Sequence, residues 1–138
     1  AWGGRAIRAQ IAALETGRPD GTAQLDAYTG YWERCILDQE APFCLAGVLA
    51  AELPGLPTEV ATAVRGHFSD LGRWVERVLT LGVAQGSIRL DDTPAAEADA
   101  FLAAVYGAML AARAFDDPAK FSRIVEGFLR RVRVDQRS

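Results

Sequence analysis

The strongest constraint on this chain is a single long period. From residue 57 or 58 to Gln85, apolar side chains recur every three or four residues: Val60, Val64, Phe68, Leu71, Val75, Val78 and Leu79, with His67 and Trp74 at the flank. Gly86 follows in the position where helices commonly end. At about 1.5 Å per residue such a helix is about 42 Å long, the span of a whole small domain. The rest of the chain must therefore pack along this rod. Gly66, Gly72 and Gly82 interrupt it. Each costs about 1 kcal/mol relative to alanine, which points to close packing or a bend.

Every other segment that reads clearly is also helical. Residues 5–16 carry Ile7, Ile11 and Leu14 and stop at Gly17, before the loop Arg18-Pro19-Asp20-Gly21. Thr22 is the expected N-cap of the next helix, which places Leu25, Tyr28, Trp32 and Ile36 on one face until Glu40-Ala41-Pro42 breaks it. Residues 43–53 form a short, almost wholly apolar helix ending at Pro54-Gly55. Two later stretches, Asp92-Thr93-Pro94-Ala95 and Asp116-Asp117-Pro118-Ala119, repeat one start signal: a capping side chain (Thr93, Asp117) before proline at the first helical position. They open helices over residues 94–113 and 118–133. Ser87-Ile88-Arg89-Leu90 alternates but is too short for a convincing strand. The expected architecture is one all-α domain over residues 1–138, built from six helices.

Composition narrows the function classes. Half of the 138 residues are apolar and 24% are charged, which excludes a disordered chain. A net charge of −3 is a poor match for a phosphate backbone. Uninterrupted apolar runs such as Leu45–Ala51 fall short of the roughly 20 residues of a membrane span, and no signal peptide opens the chain. A cytoplasmic location without membrane contact is expected. The first residue is Ala1 and the single methionine is Met109, so a longer parent protein is also expected.

Chemistry-bearing sets are scarce. Cys35 and Cys44, with His67 as the single histidine, cannot complete a zinc site of the cysteine and histidine type, and read as reduced thiols. No Glu-x-x-His pair or glycine-rich phosphate loop occurs. The acidic pairs Asp91-Asp92 and Asp116-Asp117 sit at helix starts, where the helix dipole accounts for them. Arg130, Arg131, Arg133 and Arg137 similarly complement a helix C-terminus. The sequence predicts no enzyme, no metal and no cofactor.

Two surfaces carry more information. Ala96, Ala100, Ala103, Gly107 and Ala111 recur at helical spacing, with Ala104, Ala108 and Ala112 beside them. Small side chains let another helix approach closely along the whole seam. Joined with residues 118–133 and doubled about a two-fold axis, this makes a dimeric four-helix bundle. Its candidate interface is Ala100, Ala103, Gly107, Ala111, Phe121, Ile124 and Phe128. The second surface is the collection Tyr28, Trp32, Phe43, His67, Phe68, Trp74, Tyr106 and Met109, with Cys44 nearby. Any one of these taken alone reads as ordinary core. Together, large rings with polar tips suit an apolar pocket for a small apolar or aromatic effector.

The order and punctuation of these helices resemble the C-terminal half of TetR-family transcriptional regulators. The resemblance rests on the run Cys44–Pro54, on Leu81-Gly82-Val83-Ala84-Gln85-Gly86-Ser87-Ile88, and on the alanine-rich stretch Phe101–Met109. It implies an effector-binding and dimerisation domain whose DNA-reading helix-turn-helix lies in an N-terminal region that these residues do not include. DNA would then be contacted only through that region, with residues 5–16 as the link. Effector binding would move the two DNA-binding heads out of the spacing of about 34 Å set by successive half-sites, releasing a repressor. The competing expectation is a stand-alone helical module for hydrophobic ligands.

Overall fold

The computed structural model describes residues 9, 11–38 and 50–134. Residues 11–15 are helical, followed by α1 (Gly21–Asp38), a 3-10 turn (Leu53–Gly55), α2 (Thr58–Ala84), α3 (Pro94–Ala114) and α4 (Ala119–Val132). The expected helix over residues 43–53 lies largely outside the described residues; of it, 50 and 51 are helical. Among the described residues the fold is all-helical, apart from one isolated antiparallel bridge between Ile88 and Arg133. That bridge uses the short alternating stretch after α2. The Arg89 N–H donates to the Val132 carbonyl at 2.7 Å and the Val134 N–H to the Ser87 carbonyl at 3.1 Å.

Helix ends follow local chemistry, with two corrections. Gly17 (φ 71°) and Gly86 (φ 76°) supply the left-handed residue after residues 11–15 and after α2. At the end of α2 the Ser87 N–H returns to the Gly82 carbonyl at 2.9 Å. Thr93 caps α3 as expected, accepting from the Ala96 N–H at 3.2 Å. The first correction concerns α1, which is capped by Asp20, not Thr22. The Asp20 carboxylate accepts from the Thr22 N–H at 2.9 Å, while the Thr22 hydroxyl is buried without a partner. The second concerns α4, which starts at Ala119, one residue later than expected. Asp117 still serves this end. Its hydrogen bond with Arg123 at 2.9 Å, followed by that charge and the Ala119 N–H, holds its carboxyl below the usual range.

α3 is the central layer, packed against α2 on one side and α4 on the other, with α1 laid on α2. By length and composition α3 is apolar enough to cross a membrane, which the count of uninterrupted apolar runs did not reveal. In the fold it buries Phe101, Leu102, Val105, Ala108 and Met109 against its neighbours. They join Leu71, Trp74, Val75 and Leu79 from α2 and Phe121, Val125 and Leu129 from α4 in one core.

One interruption of the long helix, Gly82, has a clear cause: a Cβ there would run into the Ile88 side chain, and the start of α1 passes close beside it. A Cβ added to Gly21 would stand 2.6 Å from the Val78 carbonyl and 2.9 Å from the Gly82 nitrogen, so the start of α1 crosses the end of α2 backbone against backbone. Gln85 fastens the crossing: its amide oxygen accepts from the Gly21 N–H at 3.0 Å and its amide nitrogen donates to the Pro19 carbonyl at 2.7 Å. Gly66 faces open space and Gly72 only touches Leu102, so close approach does not explain them.

Candidate functional site

The aromatic residues separate into two groups. Trp74, Tyr28, Phe101 and Phe128 form a continuous file, with successive ring centroids 5.6, 6.1 and 5.4 Å apart. All four are buried, as is Met109. Tilted geometry at these separations adds about 0.5–1.5 kcal/mol per pair beyond area burial, so this file is a rigid wall. Phe101 is not among the pocket candidates of the sequence, although it opens the alanine-rich stretch that carries Tyr106 and Met109.

The second group is only partly covered. His67, Phe68 and Tyr106 stack edge-on in series, at 5.4 and 5.1 Å. Phe68, Tyr106 and Trp32 pack against the core from its margin. Trp32 also meets Tyr31 edge-on at 5.1 Å. Its indole N–H is buried without a hydrogen-bond partner, as is that of Trp74. A buried orphan donor costs about 1–3 kcal/mol. Burial lowers the His67 pKa, opposed by the nearby Asp70 carboxylate, which favours the neutral imidazole beside the Phe68 ring. Phe43 and Cys44 lie outside the described residues; Cys35 is a buried free thiol.

The candidate interface residues divide just as sharply. Ala100, Ala103 and Gly107 are exposed on α3 and Ala111 is half-covered beside them. A Cβ on Gly107 would meet nothing within 4 Å. On α4, Ile124 is 40% exposed. Phe121, at 0% exposure, and Phe128 point the other way into the core, together with Ala108 and Ala112. Nothing of Phe121 is left for a partner to cover. The face instead includes two residues the sequence reading passed over, Leu110 (55% exposed) and Phe115 (69% exposed). Leu110 was recoverable, because it continues the row Ala103, Gly107 at helical spacing.

Charged contacts join the end of α4 to α1. Arg133, at the end of α4, pairs with Asp26 of α1 and with Glu126 at 3.1 Å. Burial raises the Glu33 pKa, helped by Glu126 and Asp26 and opposed by Arg34. Among the described residues no three His, Cys, Asp or Glu side chains gather as a metal site would require.

Residues 21–128 match the model of a protein family described as tetracyclin repressor-like, C-terminal domain. A solved transcriptional regulator of the TetR family from Agrobacterium tumefaciens is 45% identical and superposes with a TM-score of 0.91, over 94% of this chain and 68% of that one. Two more distant structures share the fold. One is regulatory protein TetR from Rhodobacter sphaeroides (23% identity, TM-score 0.76, 93% of this chain and 71% of that one). The other is NemR of E. coli in its reduced form (18% identity, TM-score 0.79, 97% and 71%). No curated protein matches the chain.

Proposed function

The chain belongs to the tetracyclin repressor-like C-terminal domain family of TetR regulators, and from that premise we propose that it is the effector-sensing and dimerising part of a transcriptional repressor. The observation that carries this reading is the uncovered face of α3 and α4. Leu110 and Phe115 stand more than half exposed there beside the flat row Ala100, Ala103 and Gly107, and Ile124 of α4 is exposed too. Exposed apolar side chains around a groove of small residues suit a second copy of the same two helices, related by a two-fold axis, as a four-helix bundle. In this reading Phe121 and Phe128 support the face from beneath.

The effector is a small apolar or aromatic molecule taken up at the margin formed by Trp32, Phe68 and Tyr106, with His67 as its polar contact. It acts by binding one arrangement of the helices better than another, since only that difference in affinity can shift the equilibrium. Residues 11–15 transmit the shift towards a DNA-binding region of the parent protein, which would act in the cytoplasm. The role is regulation, with no catalytic step and no cofactor.

A thermal-shift screen of the chain against neutral aromatic compounds tests the sensing role. A binder raises the melting temperature by mass action, and Phe68→Ala or Tyr106→Ala weakens it by about tenfold or more. A hit that neither substitution affects would contradict this placement, and a screen without hits would contradict the effector class.

A further inference from the structure

A cleft of about 280 Å³ opens between residues 11–15, the start of α1 and the second half of α2. Its walls are Glu15, Gln24, Trp74, Arg77, Val78 and Leu81. That volume is below the range of about 300–1,000 Å³ typical for drug-sized ligands, so an occupant is small.

The wall chemistry is mixed in a specific way. Trp74 is fully buried and its indole N–H has no hydrogen-bond partner. Gln24 is buried too, and its amide nitrogen is committed to the Arg18 carbonyl at 2.8 Å, so the amide oxygen is the end of that group left to accept. Arg77 and Glu15 face each other at 3.9 Å, a loose and solvated pair that costs little to separate. Val78 and Leu81 supply the apolar part. A simple anion would be repelled by Glu15 and a simple cation by Arg77. A ligand carrying both charges a few ångströms apart replaces the loose pair with two shorter ones.

We propose that this cleft binds a small zwitterion with an apolar side chain, of the size and charge of a free amino acid. Its carboxylate takes the Arg77 guanidinium, its ammonium group takes Glu15 and the Gln24 oxygen, and its side chain covers Val78 and Leu81, with the Trp74 indole sealed behind them as a nearby reporter. The site is separate from the partly covered aromatic margin; Trp74 and Tyr28 form the wall behind it. Because the cleft is shared by residues 11–15, α1 and α2, occupancy fixes their mutual angle and provides a second input to the same domain.

Three compounds on related carbon skeletons test the charge requirement: L-leucine, 4-methylpentanoate without the amine, and isoamylamine without the carboxylate. The readout is the indole N–H signal of Trp74 in a ¹H–¹⁵N spectrum of the whole chain, identified by its loss in Trp74→Phe, with calorimetric titration in parallel. L-Leucine is expected to shift that signal saturably, and each single-charge analogue to bind about tenfold more weakly or worse, as a site left with unpaired polar groups requires. Arg77→Gln, an exposed change that leaves the core intact, is expected to weaken L-leucine by a similar factor. No saturable shift at tens of millimolar, equal binding of 4-methylpentanoate, or an unaffected Arg77→Gln would each overturn the proposal.

Discussion

Gly21 and Gly107 are both helical glycines, yet they occupy opposite situations. At Gly21 the neighbouring backbone is already in place, with the Val78 carbonyl where a Cβ would go. At Gly107 the space is empty, and the side chains around it, Leu110 and Phe115, are exposed. The first is a finished intramolecular crossing, bolted by Gln85; the second is a surface of the same character without a cover. Small residues in a helix therefore announce a close approach without saying whose. Only the fold distinguishes a contact the chain makes with itself from one it holds open.

The largest expected effect breaks the finished crossing. Gly21→Ala forces α1 and α2 apart or strains the backbone, at a cost of about 3 kcal/mol, the upper end of ordinary overpacking. Urea denaturation would register it as a lower midpoint with an unchanged slope. Loss of less than about 0.5 kcal/mol would show that the crossing is loose, and the contrast with Gly107 would disappear.

A smaller effect sharpens the comparison at the start of α3, the helix that carries the open face. Thr93→Ala removes the side-chain bond to the Ala96 N–H and is expected to cost about 1 kcal/mol, whereas Thr93→Asn is expected to cost little. Thermal melting of the two variants side by side separates a capping role from a packing one.

The smallest effect concerns the aromatic margin. Burial holds His67 below its ordinary pKa, so the unfolded chain takes up a proton there before the folded one does. Stability is therefore expected to fall as pH drops through about 6.5, and this contribution levels off once the folded imidazole is protonated as well. His67→Gln removes that component of the slope. A chain whose pH profile is identical with and without His67 would place the ring in open solvent.

How much of this was legible in advance depends on the kind of signal. Helix boundaries written in single residues were readable: Gly17 and Gly86 adopt the left-handed conformation that ends a helix, and Thr93 caps α3. Asp20 and Thr22 could not be told apart by type, since both are good caps; the choice follows from Gly21, which must lie in the helix to cross α2. Facing was readable on α2, whose apolar stripe contrasts with charged residues opposite. On α3 it was not, because alanine and larger apolar residues run around the whole helix and no stripe distinguishes inner from outer. On α4 the apolar arc is wide enough that Phe121 and Ile124, three residues apart, fall on opposite sides of its boundary, one buried and one exposed. The aromatic collection was identified by composition. Its division into a buried file and a partly covered margin depends on how α1, α2 and α3 meet, which no local pattern encodes. Gln24, Arg77 and Glu15 come from three separate segments and carried no sequence signal of proximity.

The central claim is that the open face of α3 and α4 is covered by a second copy, and sedimentation equilibrium of the chain beside Gly107→Leu tests it most directly. A Cβ at this position meets nothing within 4 Å and leucine improves helix propensity by about 0.8 kcal/mol, so folding is expected to be preserved while the groove for a partner is filled. The chain is expected to sediment at twice 14.9 kDa and the variant to shift towards 14.9 kDa, with unchanged helical circular dichroism. A chain that sediments at 14.9 kDa at every concentration, or a variant that dimerises as tightly as the original, would contradict it.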